Sequence, residues 1–332
     1  MTNPIPALRG HSLLTLDDLT DAEMLALIDF AEMLKVEKAR RSLRAEHRLA
    51  GRNVALVFEK SSTRTRCAAM VAAHDEGAHA EYLGKSDIHF GRKESVADSA
   101  RVLGRMFDGI LFRGFKHSTV ETLAKVAGVP VWNGLTDDAH PTQILADLQA
   151  MKQYFGMLKG LKVAYVGDGR NNVAHSLMHG CAKAGVDVTV CAPPELSPGS
   201  AALALAQAAA KRNGSRVAVA ADPRTGVLGA NVLYTDVWVS MGEESQFAER
   251  LKLLRPYQID MNLVRATGNL ENGRVMFLHC LPAFHNHDTD VTREIGALEV
   301  TDDVFEAPFS KVFDQAENRM HTIKAMMVSS LT

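Results

Sequence analysis

The chain has 332 residues and a net charge of −2, with 46% hydrophobic and 23% charged residues. Its length favours two domains, each large enough to bury a core, and its nearly neutral charge excludes the basic surface typical of nucleic-acid-binding proteins. The composition is that of an ordinary globular chain without low-complexity tracts.

Four cysteines are scattered along the sequence, and no two of them form a C-x-x-C pair. We therefore expect reduced thiols, with neither a disulfide framework nor a zinc site. The first ten residues lack an apolar secretory core, and the most apolar run, 201–210, is too short to cross a membrane. These features predict a cytoplasmic location and no membrane partner.

Strand-like and helix-like patterns alternate along both halves of the chain. Residues 13–49 are expected to be helical. The expected strands are 53–58, 80–83, 109–112 and 129–132 in the first half and 162–166, 187–191, 216–219, 231–234 and 275–279 in the second. A helix from 140 to about 154 is expected to join the halves. The alternation predicts an α/β fold with two doubly wound parallel sheets.

The turn after the first strand concentrates hydroxyls and guanidiniums. It contains Ser62, Thr63, Arg64, Thr65 and Arg66. Open α/β sheets bind ligands at the carboxyl ends of their strands, and the free N–H groups of a helix N-terminus favour an anion. We interpret the turn as a phosphate cradle on which both guanidiniums converge. The alternative is a helix cap followed by solvated arginines.

Other polar residues of the first half occupy comparable positions. Arg113 directly follows the third strand, and His140 and Gln143 lie at the start of the long helix. We expect all three side chains at the ligand edge of the first sheet, the alternatives being a surface arginine and a structural cap. The polar segment 84–95, which contains His89, is expected to form a loop.

In the second half, the turn after the strand 162–166 begins like a dinucleotide fingerprint. It has Gly167 and Gly169, but Asn172 stands where the third glycine belongs, so a nicotinamide cofactor is disfavoured. Asn172 lies at a helix start, where it either caps the helix or holds a carboxylate.

Two later strands also end in chemically capable side chains. Asp236 follows one strand and precedes Ser240 and Met241, so the carboxylate could bind an ammonium group, although a plain turn fits equally well. His279 and Cys280 end another strand. Their adjacency suggests a nucleophilic dyad, but neighbours on a strand point to opposite faces, which argues against it.

The last part of the chain offers two further candidates. His285, His287 and Asp288 form a tract that could bind a metal but fits a polar loop better. Arg319 lies on the C-terminal helix, where it could reach a site or merely pair with Asp314 or Glu317.

The motifs together resemble those of the aspartate/ornithine carbamoyltransferase family. They are Ser62-Thr63-Arg64-Thr65-Arg66, His140-Pro141-Thr142-Gln143 and His279-Cys280-Leu281-Pro282, and Asp236-Val237-Trp238-Val239-Ser240-Met241-Gly242 is similar to the ornithine branch. The resemblance covers nearly the whole chain, down to Arg319. It implies that carbamoyl phosphate and L-ornithine react to give L-citrulline and phosphate, in arginine biosynthesis or breakdown.

The resemblance also implies an architecture. Residues 1–147 with 319–332 would bind carbamoyl phosphate, residues 148–318 would bind ornithine, and the active site would lie in the cleft between them. The family resemblance further implies a homotrimer with sites at subunit interfaces, and neither cofactor nor metal. Whether trimers assemble further is left open by the sequence.

Site residues are implied by the same resemblance. The carbamoyl phosphate set is Ser62, Thr63, Arg64, Thr65, His89, Arg113, His140, Gln143, Cys280, Leu281 and Arg319, with His89 reaching a neighbouring subunit's site, although other family members have Gln there. The ornithine set is Asn172, Asp236, Ser240 and Met241. Arg113, His140, Cys280 and Asp236 form the catalytic set, in which Cys280 orients the attacking amine and is not a nucleophile.

Two other classes of function stay open from the sequence. One is a carbamoyltransferase for another acceptor, such as putrescine, N-acetylornithine or aspartate; Asp236 disfavours aspartate because two carboxylates repel. The other is an inactive carbamoyl-phosphate-binding scaffold subunit, against which the intact set of polar residues argues.

Overall fold

A computed structural model describes residues 4–40, 47–88, 90, 93–239 and 244–332. Within this part of the chain the strands are β1 Asn53–Phe58, β2 His79–Leu83, β3 Gly109–Arg113, β4 Val131–Leu135, β5 Lys162–Val166, β6 Asp187–Cys191, β7 Val217–Ala220, β8 Val232–Thr235 and β9 Met276–His279. The helices of the same part are α1 Asp21–Ala39, α2 Thr63–Asp75, α3 Val96–Met106, α4 His117–Val126, α5 Pro141–Phe155, α6 Asn172–Lys183, α7 Ser200–Asn213, α8 Pro223–Gly226, α9 Phe247–Leu254, α10 Met261–Ala266, α11 Asp302–Phe305 and α12 Val312–Leu331. Among these described helices, none is long and apolar enough to span a bilayer.

The chain divides into two compact units. Unit 1 comprises Met1–Gln149 and Glu317–Thr332, and unit 2 comprises Ala150–Ala316. The boundary therefore falls once within α5 and once within α12.

Unit 1 is built on a four-stranded parallel sheet with the order β2-β1-β3-β4. The central strands β1 and β3 are almost continuous apolar runs, and residues Val54–Phe58 are buried throughout. Such runs are expected of parallel strands that are covered on both faces. The core includes Val57, Ile110 and Phe112, against which the helical residues Val120 and Leu123 pack.

Unit 2 contains a five-stranded parallel sheet with the order β7-β6-β5-β8-β9. Its core combines strand residues such as Leu233 and Phe277 with the helical residues Leu254 and Val264. The predicted fold class, two parallel-sheet α/β units, is confirmed.

The sequence placed most elements within two residues, with a few errors. The expected helical region 13–49 is shorter in the described residues: α1 begins at Asp21, where a Thr20–Glu23 capping box satisfies its first N–H groups, and ends at Ala39. The strand expected at 129–132 begins at Val131, after Pro130. The helices α8 and α11 were not predicted, because four-residue helices have no periodicity to detect.

The part of α12 in unit 1 buries a histidine beside a charged pair. His321 Nε2 lies 3.4 Å from Glu317 Oε1, and Glu317 Oε2 lies 3.1 Å from Lys35 Nζ. Burial, reinforced by the positive charge of Lys324, lowers the pKa of His321 to about 4 despite the nearby carboxylate. The imidazole is therefore neutral in the folded protein at neutral pH.

This pKa shift predicts acid sensitivity. Between pH 6.5 and about 4 the unfolded chain binds a proton at His321 and the folded chain does not, so the free energy of unfolding falls as the pH falls. Between pH 7 and pH 4, the free energy of unfolding should fall by up to about 3 kcal/mol less in a His321→Gln variant than in the wild type, because each unit of pKa shift corresponds to about 1.4 kcal/mol. Urea unfolding at several pH values measures the difference. His79→Gln, at an exposed strand position, is the control, and parallel pH dependences for the wild type and His321→Gln would contradict the prediction.

Candidate functional site

In each sheet the winding direction reverses at one strand. In unit 1 the chain moves from β1 outward to β2 and then returns to β3 on the other side of β1; in unit 2 it moves from β5 to β6 and β7 and returns to β8. The carboxyl ends of the strands flanking such a reversal form a crevice where α/β proteins bind ligands. The carboxyl ends of β1, β3, β5 and β8 and the segments after them carry Ser62 to Thr65, Arg113, Asn172 and Asp236, whereas His140 and Gln143 follow β4 and Cys280 follows β9.

In unit 1, the hydroxyl of Thr65 is the meeting point of two buried arginines. Arg319 Nη2 donates to Thr65 Oγ1 at 2.9 Å, and Arg113 Nη1 donates to the same oxygen at 3.5 Å. Ser62 caps α2 by accepting from the N–H of Thr65 at 3.1 Å. The fold thus brings residues 65, 113 and 319, which are far apart in sequence, to the N-terminus of one helix.

One part of the cradle prediction is wrong. Arg66 does not join Arg64 at the cradle, because its guanidinium stacks on the ring of Tyr82, 3.8 Å from the centroid. Helical residues two apart point in different directions, so Arg64 and Arg66 could not converge. The second guanidinium at the Thr65 hydroxyl comes from Arg319. This hydrogen bond favours the prediction that Arg319 reaches the site over the alternative that it only pairs with Glu317.

His140 lies at the start of α5 and is buried, as are its neighbours Thr142 and Gln143. Burial, and then the positive charges of Arg319, Arg113 and Arg64, hold the pKa of His140 well below its ordinary value of 6.5. The imidazole is therefore a neutral donor among three guanidiniums. Gln143 Nε2 donates to the buried Asp147 Oδ1 at 2.8 Å, which fixes the amide.

In unit 2, Asp236 is a buried carboxylate immediately after β8. Its Oδ1 accepts from the Cys280 thiol at 2.9 Å and from the N–H of Val237 at 2.8 Å. Its Oδ2 accepts from Asn171 Nδ2 at 3.3 Å. Burial raises the pKa of Asp236, partly opposed by His279 and by the hydrogen bond from Cys280. A cation beside this carboxylate would favour its ionised form.

The cap of α6 is Asn171 and not Asn172. Asn171 Oδ1 accepts from the N–H of Ala174 at 2.7 Å, and its Nδ2 also donates to the hydroxyl of Tyr165 at 2.7 Å. The capping alternative for Asn172 is therefore wrong, and Asn172 is the first residue of the helix. Neither Asn171 nor Tyr165 was predicted from the sequence as a site residue. Asn171 could have been found from its position directly before a helix.

Cys280 and His279 do not form a dyad, as their positions on a strand suggested. His279 Nδ1 accepts from the N–H of Leu281 at 2.9 Å, and its Nε2 lies 3.2 Å from the buried Glu299. Leu281 has a φ of +59°, a conformation that side chains rarely adopt and that the bond to His279 helps to hold. The pair therefore shapes the turn that carries Cys280.

Metal binding fits these residues poorly. One ligand atom from each of Asp236, His279 and Cys280 lies within 4.8 Å of the others. Both ring nitrogens of His279 already have partners, however, which leaves this set without a free imidazole ligand. In the tract considered from the sequence, His285 pairs with Asp302 at 2.6 Å and stacks on Phe305, while His287 Nδ1 lies 3.2 Å from the carbonyl oxygen of Arg293.

Three of the predicted site residues, His89, Ser240 and Met241, lie outside the described residues.

Family models match almost the entire chain. The carbamoyl-P binding domain of aspartate/ornithine carbamoyltransferases matches residues 11–153, and the Asp/Orn binding domain matches residues 159–330. The chain belongs to the aspartate/ornithine carbamoyltransferase family.

Individual family members are similar over their full length. The chain is 55% identical to a catabolic ornithine carbamoyltransferase of Bacillus licheniformis, with 98% of this chain and 97% of the relative covered. It is 54% identical to an ornithine carbamoyltransferase of Streptococcus pyogenes, with 97% and 96% covered. The ornithine carbamoyltransferase structure from Pyrococcus furiosus superposes with a TM-score of 0.89 at 42% identity, covering 98% of both chains.

The environment of His140 generates a prediction about its protonation. Because burial and three guanidiniums oppose a further positive charge, the imidazole should stay neutral well below pH 6.5. Replacing Arg319 with Met removes one cation, so the pKa of His140 should rise toward its ordinary value. NMR of ring-labelled histidine, with the His140 signal assigned from the His140→Asn variant, measures the pKa of His140 in the wild type and in Arg319→Met. A titration of His140 near pH 6.5 in the wild type would contradict this account.

Proposed function

We propose that the chain transfers the carbamoyl group of carbamoyl phosphate to the side-chain amine of L-ornithine, giving L-citrulline and phosphate. Binding of carbamoyl phosphate is supported by the convergence of Arg64, Arg113 and Arg319 around the buried, neutral His140. Guanidiniums suit phosphate oxygens, and a neutral imidazole suits a carbonyl oxygen. Family membership and relatives named ornithine carbamoyltransferase support the whole reaction.

The binding roles follow the sets inferred from the sequence. Carbamoyl phosphate is held by Ser62, Thr63, Arg64, Thr65, His89, Arg113, His140, Gln143, Cys280, Leu281 and Arg319, and ornithine by Asn172, Asp236, Ser240 and Met241. The corresponding domains are 1–147 with 319–332 for carbamoyl phosphate and 148–318 for ornithine. The two compact units and the two family models support this division.

Asp236 favours ornithine as the amine that accepts the carbamoyl group. A buried carboxylate at the carboxyl end of β8 attracts an ammonium group and repels a second carboxylate, which favours ornithine over aspartate. The hydrogen bond from the Cys280 thiol to the same carboxylate supports a role for Cys280 in orienting an amine rather than in attacking carbon. Asn171, which bridges Asp236 and Tyr165, fixes the carboxylate from the other side.

The mechanism is direct attack. Ornithine's side-chain ammonium gives a proton to solvent, and the free amine attacks the carbamoyl carbon to form a tetrahedral intermediate. Donors from Arg113, His140 and Thr65 stabilise the negative charge on the former carbonyl oxygen. Collapse breaks the bond to the bridging oxygen, and Arg64 with the N-terminus of α2 stabilises the departing phosphate. During this collapse, the excess proton on the attacking nitrogen passes to the departing phosphate. Holding both substrates in orientation supplies up to roughly 7–11 kcal/mol of the barrier reduction.

We also propose that the protein works in the cytoplasm as a homotrimer. Support for assembly comes from exposed apolar side chains of unit 1, among them Met70 and Val71 of α2 and Val102 and Met106 of α3. None of the four cysteines forms a disulfide, which suits a reducing compartment. The mass in sedimentation equilibrium tests the assembly.

The reaction is tested by supplying carbamoyl phosphate with ornithine, putrescine, N-acetylornithine or aspartate and measuring the carbamoylated products. Citrulline from ornithine, with little product from the other acceptors, is expected. Turnover with another acceptor would retain the carbamoyl phosphate half and overturn the role of Asp236. Absence of turnover with all four would favour the scaffold alternative.

Two variants should each impair the use of a different substrate. Arg64→Ala should reduce kcat/KM for carbamoyl phosphate about 100-fold or more, because a guanidinium is lost from the phosphate. Asp236→Asn should bind carbamoyl phosphate normally and reduce kcat/KM for ornithine about 100-fold, because the ammonium loses its counter-charge. Calorimetric titration with phosphonoacetamide, a stable carbamoyl phosphate analogue, and ornithine saturation kinetics separate the effects. Equal losses of both substrates in both variants would count against the assigned roles.

A further inference from the structure

We propose that Lys60 is a positioning residue that aligns the three loops of unit 1 which hold carbamoyl phosphate; this inference rests on the proposed function. Lys60 lies between β1 and α2, and only 8% of its side chain is exposed. Burying an ammonium group is costly unless it is paired, so such a lysine needs specific partners.

The partners of Lys60 come from two other loops. Its Nζ lies 2.6 Å from Asp137 Oδ1, in the loop between β4 and α5. The same Nζ lies 4.4 Å from the centroid of the Phe115 ring, in the loop between β3 and α4, at a distance that allows a cation–π interaction. We call Lys60, Phe115 and Asp137 the Lys60 clamp.

Hydrogen bonds donated by main-chain N–H groups connect the same loops in series. The N–H of Glu59 donates to the carbonyl oxygen of Arg113 at 2.8 Å, and the N–H of Phe115 donates to the carboxylate of Glu59 at 3.2 Å. The N–H of Asp137 donates to the carbonyl oxygen of Phe115 at 2.8 Å. These bonds join the first loop to the second and the second to the third. The Lys60–Asp137 ion pair adds a direct link from the first loop to the third.

Each loop delivers a different part of the proposed site. The first leads into Ser62 to Thr65, the second begins at Arg113, and the third ends at His140. Carbamoyl phosphate needs all three at fixed separations, because the phosphate and the carbonyl oxygen belong to one small molecule. A misplacement of about 1 Å is enough to reduce turnover about 100-fold. The clamp connects the loops a few residues from each of these groups.

Packing alone fixes the second loop poorly. Phe115 is 40% exposed, and beside it lies a cavity of about 120 Å³ that is also lined by Glu59, Lys85, Ile88 and Phe90. The ring is therefore held from the side of Lys60 and is not enclosed by core. Because Asp137 already neutralises Lys60, the ammonium acts on the substrate through the loops and not as a direct phosphate ligand.

A comparison of two ligands distinguishes a loss of loop alignment from a general loss of ligand binding. On the proposed roles, inorganic phosphate would contact mainly the first loop, whereas phosphonoacetamide would contact all three. Lys60→Met keeps the apolar stem and removes the charge, so its dissociation constant for phosphonoacetamide should rise about 10-fold or more while that for inorganic phosphate changes much less. The kcat/KM for carbamoyl phosphate should fall by a similar factor, and KM for ornithine should stay near the wild-type value.

Matched variants complete the test. Lys60→Arg should restore much of the lost affinity, because a guanidinium can also pair with Asp137. Asp137→Asn, at a carboxylate that is 56% exposed, should reproduce the loss, and the double variant should lose no more than either single one. Lys116→Met removes an exposed lysine from the second loop and should have little effect.

The outcomes distinguish this inference from the proposed function. If the wild type binds neither ligand, the proposed function fails. If the wild type binds both, but Lys60→Met weakens them equally or not at all, only the positioning role of Lys60 fails. If Lys60→Met does not fold, Asp137→Asn decides the question with the same two ligands.

Discussion

The winding reversal in each parallel sheet is the constraint on which the candidate site depends. A right-handed crossover places successive strands on one side of the starting strand until the direction changes, and the change leaves the carboxyl ends of two strands uncovered. In unit 1 these strands are β1 and β3, and in unit 2 they are β5 and β8. Residues that lie far apart in sequence therefore share one edge.

The two units use these edges for opposite charges. Unit 1 gathers hydroxyls, a neutral imidazole and three guanidiniums, whereas unit 2 presents the buried carboxylate of Asp236 with a thiol and an amide. An acyl phosphate with several negative oxygens suits the first set, and an amino acid with an ammonium group suits the second. The division of charge makes a transfer between two different substrates a better account than binding of one ligand.

In each unit, buried and partnered polar side chains lie beside groups that would contact substrate. His279 holds the N–H of Leu281 and faces Glu299, and Gln143 is fixed by Asp147. Lys60 of the clamp is likewise buried and paired, although its partner Asp137 is 56% exposed. Buried charges of this kind add little net stability, because their desolvation offsets much of their attraction. Their retention beside the site is more readily explained by the accurate placement that substrate binding needs.

The fold class, the order of elements and the chemistry of most candidate residues could be predicted from the sequence. Periodicity and polar turns are local properties, so the strands, the cap at Ser62 and the Asp236 position could be predicted from neighbouring residues. Which side chains contact one another became known only from the folded chain. Arg66, adjacent to the cradle, stacks on Tyr82, while Arg319, more than 250 residues from Thr65, donates to its hydroxyl. Contacts such as Lys60–Asp137 and His279–Glu299 likewise depend on strand order and helix direction, which local patterns do not encode.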